Sequence, residues 1–160
     1  AYVGLDYPQT WILPPLESVH LSLENTAHYA FGTDLGAAEW NATLPTGGAV
    51  VYLGPAGRPF TVGMFHRLRC ITILQEVLAK FYADASISAQ IDRPELAQHC
   101  MNYLRQMTLC SADLRLESLR ASHGNQLTVP YVTHTCTDWR AVYEAAERNY
   151  RHYMDLKEDE

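Results

Sequence analysis

The stretch FHRLRCITILQEVLAKFY, residues 65–82, sets the organisation of the chain. Phe65, Leu68, Ile71 or Thr72, Gln75, Leu78 and Phe81 to Tyr82 recur every three to four positions. That spacing follows the turn of an α-helix and predicts a helix of about 20 residues beginning near Thr61. His66 and Cys70 fall four apart on it and Arg69 three from His66, so all three project from one face.

A second helix is written in a similar way. Asp92-Arg93-Pro94-Glu95 reads as an N-cap, an early-turn proline and a capping-box glutamate. The run LAQHCMNYLRQMTLC that follows, residues 96–110, places Leu96, His99, Cys100 and Tyr103 on one face. Packed together, the two helices would bring an imidazole and a thiol from each into one place. Such a set suits copper or zinc. Yet His and Cys on an apolar helix face are more often satisfied core residues than ligands, and spacing on single helices is weakly specific.

Around these helices the pattern is shorter. ESVHLSLEN alternates, with Val19, Leu21 and Leu23 on one side, which is the period of a half-buried strand. GAVVYLG, residues 48–54, is a second strand closed by Gly54-Pro55, and AEWNATLPTGG between them reads as a loop with Trp40 packed inward. LTVPYVTHTC is an extended segment whose Pro130 suggests a sheet edge, and it carries His134 and Cys136 on one side. Thr137 or Asp138 then caps a last helix, WRAVYEAAERNYRHYM, with a stripe of Trp139, Val142, Tyr143, Ala146, Tyr150 and Tyr153. The fold expected is α+β, a single domain over residues 1–160, with two central helices, a C-terminal helix and short, mostly N-terminal strands.

Composition narrows the function. The chain has 160 residues, 48% apolar and 19% charged, which is ordinary for one globular domain. Its formal charge of −6, with scattered Arg and Lys, gives no basic stripe for a phosphate backbone, so nucleic acid is not an expected partner. No run reaches the roughly 18 apolar residues of a membrane span, and the start AYVGLDYPQTWILPP lacks the basic end and apolar core of a signal peptide. Four cysteines, Cys70, Cys100, Cys110 and Cys136, allow three disulfide connectivities, and no CxxC pair points to a zinc knuckle. Asn41-Ala42-Thr43 is a glycosylation sequon. Asp113 and Arg115 read as a turn-fixing ion pair. There is no phosphate-binding glycine loop, GxSxG elbow or HExxH.

In order and spacing, AEWNATLPTGGAVVYL, FHRLRCITIL, QHCMNYLRQMTLCSADLRLE and VTHTCTDW resemble the fungal UstYa-like family of natural-product tailoring proteins. The similarity runs from about Tyr2 to about Trp139. The resemblance implies a secretory-pathway lumenal protein on an N-terminal anchor that this chain lacks. It also implies copper as the metal, and oxidative cyclisation, hydroxylation, dehydrogenation or halogenation of small-molecule or peptide metabolites. Two HxxHC motifs are the family's signature. Here the first reads His66-Arg67-Leu68-Arg69-Cys70 and the second Leu96-Ala97-Gln98-His99-Cys100, so Arg69 and Leu96 stand where imidazoles belong.

Arg69 cannot coordinate a metal, and its fixed charge one turn from His66 would repel one. A guanidinium between two histidines can instead polarise a carbonyl and shuttle protons. The first reading is therefore a metabolite cyclase or isomerase without a cofactor, with His66, Arg69, His99, His134 and Tyr103 as catalytic candidates. The second is a copper-dependent oxidase that keeps His66 and His99 as ligands. The third is a non-catalytic partner, in a dimer with itself or with an intact family member. The lumenal compartment implied by the resemblance sets the expectation of a Cys110–Cys136 disulfide, with Cys70–Cys100 as the second bridge, and of a glycan on Asn41.

Overall fold

The computed structural model describes residues 2, 6–22, 27–30, 32–83, 94–111 and 133–158. Among them are four helices and four short strands, in the order β1 Ser18–Ser22, α1 Asp34–Asn41, β2 Val50–Leu53, β3 Arg58–Thr61, α2 Gly63–Ala83, α3 Pro94–Ser111, β4 Thr133–Thr137 and α4 Trp139–Glu158. The α+β class, the two central helices and the C-terminal helix are as expected. The Asp92 and Arg93 of the expected cap, Pro130, and the Asp113–Arg115 pair lie outside the described residues.

The strands form two antiparallel pairs. β1 joins β4, with Ser18 opposite Thr137 and Leu21 opposite His134. β2 joins β3, with Val51 opposite Phe60 and Tyr52 opposite Pro59. The loop between β2 and β3 turns on Gly54 and Gly57, both at positive φ (76° and 57°), where a side chain would be strained. At Gly54 an added Cβ would also come within 2.8 Å of Tyr2.

The first four residues of the expected loop AEWNATLPTGG, 38–41, belong instead to a helix, and the rest of it is loop. Residues 34–41 form α1, capped by Thr33, whose Oγ1 accepts a hydrogen bond from the Gly36 amide at 3.0 Å. With only 8 residues, and its two large apolar groups Leu35 and Trp40 five apart, α1 never builds the repeating stripe that marks a helix in sequence. Its Trp40 is half-buried, as expected, and donates from Nε1 to the Tyr29 carbonyl.

The core lies where β2, α2 and α4 meet, on Val51, Phe65 and Ala146. Phe65 is fully buried and meets the Tyr143 ring edge to face, at 4.9 Å between centroids. The α2 stripe holds through Thr72 and Gln75, which are buried, while Leu78 and Phe81 are 45% and 43% exposed. Thr72 is satisfied within the helix, its hydroxyl donating to the Leu68 carbonyl.

Asn149 fastens α4 to the sheet. Its Oδ1 accepts from the Tyr52 amide and its Nδ2 donates to the Tyr52 carbonyl, each at 2.6 Å. The side chain so takes the place of a further strand at the outer edge of β2. The Tyr52 groups point away from β3, so the missing N–H of Pro59 opposite them costs the hairpin no bond. One turn on, Tyr153 stacks on Tyr52 at 3.5 Å and 3°. Asn149→Leu leaves two part-buried backbone groups unmet and is expected to cost about 2 kcal/mol. Thermal unfolding should show a midpoint about 4–8 °C lower, whereas Tyr52→Phe, which keeps backbone and stack, should unfold close to wild type.

Candidate functional site

α2 and α3 pack against each other, and the facing residues are those of the two motif phrases. His66 on α2 stacks on Tyr103 of α3, with 3.9 Å between ring centroids and 29° between planes. The His99 ring lies 6.1 Å from His66 and 6.5 Å from Tyr103, its plane within 25° of the first and 9° of the second. Three near-parallel rings thus stand together, two of them imidazoles. His99 and Tyr103 are four apart on α3 and His66 sits across the seam, so only helix packing completes the group.

Below the rings lie two thiols. Cys70 and Cys100 are each 1% exposed and share a hydrogen bond across the helix pair. Burial, then the Cys100 thiol beside it, pushes Cys70 up to about 12, so it stays protonated at neutral pH. His66 is shifted the other way. Burial, and next the charge of His99, lower its pKa and favour the neutral imidazole.

The other candidate residues are placed as follows. Arg69 is exposed on α2 and Leu96 half-buried on α3. His134 and Cys136 share the half-buried side of β4, opposite Leu21 and Val19. Asn41 is exposed at the last position of α1, and Thr43 donates its hydroxyl to the Trp40 carbonyl. All four cysteines are thiols, so neither expected bridge is formed in this structure: Cys70 and Cys100 meet as a hydrogen-bonded pair, Cys110 is exposed on the last turn of α3, and Cys136 is half-buried on β4. Among the described residues, no group of three or more His, Cys, Asp or Glu is gathered as a metal site.

Arg67 was not singled out by the sequence, because a lone arginine beside a motif histidine carries no pattern. It borders a cleft of about 210 Å³ with Leu104, Met107, Thr108 and Ser111 of α3, and also a larger cavity against α4.

A helix pair that presents a His-Cys phrase from each member, on an α+β scaffold, defines the class to which this domain belongs. The family profile described as "Mycotoxin biosynthesis protein UstYa" matches residues 26–149, and the chain belongs to that family. It is 34% identical over 91 residues to "Oxidase ustYa" of Aspergillus flavus, covering 55% of this chain and 40% of that protein. It is 27% identical over 146 residues to "UstYa family oxidase phomYe" of Diaporthe leptostromiformis, covering 80% and 48%. It is 24% identical over 91 residues to "Hydroxylase cctR" of Talaromyces islandicus, covering 57% and 34%. The chain thus spans less than half the length of these relatives. No solved structure matches.

Burial of the motif thiols and the lowered pKa of His66 generate two predictions. With an alkylating reagent under native, non-reducing conditions, peptide mass spectrometry should find Cys110 modified rapidly and Cys70 and Cys100 protected until the chain is denatured. Because folded His66 binds a proton less readily than unfolded His66, the unfolded chain holds more protons below the usual histidine value, and stability contributed at neutral pH is lost as pH falls through the depressed native value. Denaturant midpoints measured between pH 7 and 5 should therefore fall less steeply in His66→Gln than in wild type.

Proposed function

We propose that this domain belongs to a tailoring enzyme of fungal secondary metabolism, and that its reaction centre is the His66–His99–Tyr103 cluster on the α2–α3 seam. Family membership and the oxidase and hydroxylase names of the relatives support the enzyme class. The observation that carries the site is the stacking of His66 on Tyr103 at 3.9 Å with a second imidazole beside it.

The reaction we favour is a ring closure or isomerisation driven by proton transfer. His66, held neutral by burial, accepts a proton from the substrate. Tyr103, fixed in place by the stack, offers its hydroxyl to a developing oxyanion. His99, more exposed than His66, gives a proton to the product, and solvent takes up the one left on His66 and replaces the one His99 gave. Arg69 lies exposed on α2 and takes no step here; the role of polarising a carbonyl falls to Tyr103.

The copper implied by the family fits these residues poorly. His66 and His99 offer two nitrogen donors, Arg69 and Leu96 replace the other two signature imidazoles, and the Cys70 thiol stays protonated far above neutral pH. We derive no step through the metal. The oxidase reading rests instead on the relatives' names, "Oxidase ustYa" and "UstYa family oxidase phomYe". We also propose the secretory-pathway lumen as its compartment, supported by the exposed sequon at Asn41.

The balance of atoms separates the readings. Given the precursor that accumulates when the gene is deleted from its host, the protein should form an isomer of unchanged mass, under argon and with EDTA present. His66→Ala should slow that conversion by about 10²–10⁴-fold. A product lacking two hydrogens or carrying an added oxygen, formed only with copper and air, would establish the oxidase. Conversion seen only after an intact family member is added would make the chain its partner.

A further inference from the structure

A cavity of about 660 Å³ opens between the end of α1, α2 and α4, away from the histidine cluster. Its volume lies in the range of small-molecule sites, about 300–1,000 Å³. Met64, Leu68, Trp139 and Tyr143 form apolar and aromatic walls, and Arg67 and Arg140 reach it from α2 and α4. Tyr143 is fixed at both ends, its hydroxyl donating to the Thr43 carbonyl and its ring against Phe65, so this wall is formed before any ligand arrives.

Charge is the unusual feature. In a chain of net charge −6, two of 12 cationic side chains border one cavity beside a single carboxylate, Glu144. Arg148 stands 3.7 Å from that carboxylate and partly offsets it. Arg140 pairs through Nε with Asp138 at 3.2 Å, which offsets part of its charge and orients its guanidinium without using the terminal nitrogens, so Arg67 is the principal cation of the cavity. Guanidinium forks meet carboxylates in a plane and with two bonds at once.

We propose that this cavity binds an aromatic or similarly flat apolar carboxylate, with its ring against Trp139 and Tyr143 and its carboxylate on Arg67, assisted by Arg140. Met64, Arg67 and Leu68 share one face of α2, whereas His66 and Cys70 project from nearly the opposite one. The site therefore does not rest on the reaction proposed at His66, and it can hold a substrate's remote end or a separate ligand.

Calorimetric titration of the protein with 2-naphthoate, and with its uncharged counterpart 2-naphthalenemethanol, tests this without any turnover. A single saturable site is expected for naphthoate, with clearly weaker binding of the alcohol. Arg67→Met should weaken naphthoate about tenfold and leave the alcohol unchanged. Glu144→Gln, which removes the one carboxylate at the rim, should tighten naphthoate, a change that misfolding cannot imitate. Absence of saturable naphthoate binding, equal affinity for acid and alcohol, or indifference to both substitutions would overturn the proposal.

Discussion

Asn149 occupies the position on which the packing turns. A hairpin of two short strands is marginal by itself, and its outer edge exposes backbone groups that must be met. By pairing both polar groups of Tyr52, one amide side chain converts that edge into the seat of α4. Once α4 is seated, Tyr143 stands over Phe65, and Phe65 fixes the rotation of α2 about its own axis. That rotation leaves His66 and Cys70 turned towards α3.

The chemistry of the seam follows from what surrounds it. The same burial pushes an imidazole and a thiol in opposite directions, because each avoids the form that carries charge. His66 is held in the neutral form that can accept a proton, and Cys70 becomes a poorer ligand. Aromatic stacking with Tyr103 holds the imidazole in one orientation, which is what a proton-transferring group needs and what a coordinating set with more partners would have supplied by other means. Arg69, exposed on α2, keeps its charge outside that environment, and the half-buried Leu96 adds none to it.

The sequence declared much of this. The period in residues 65–82 made α2 legible, and the His-Cys spacing on both central helices marked the residues that meet. It also marked Asp138 as a candidate cap for α4; the Arg140 amide binds its side chain at 3.1 Å. The alternation in ESVHLSLEN and the extended reading of LTVPYVTHTC marked two strands, although nothing in either names the other as its partner. Helix α1 was hidden because its two large apolar groups, five apart, make no repeating stripe. Arg67 and its cavity were hidden because the walls come from four separated segments.

What the sequence determined by itself was local and periodic: which segments become the three long helices, and which face of each central helix carries histidine and cysteine. Those properties depend on neighbours within one or two turns, and so can be read along the chain. Tertiary structure alone decided that His66 meets Tyr103, that Arg69 remains in solvent, and that the motif thiols lie against each other. Each of those facts depends on the rotation and crossing of helices that are distant in sequence, and that geometry is set by core contacts such as Phe65 with Tyr143 and Asn149 with Tyr52.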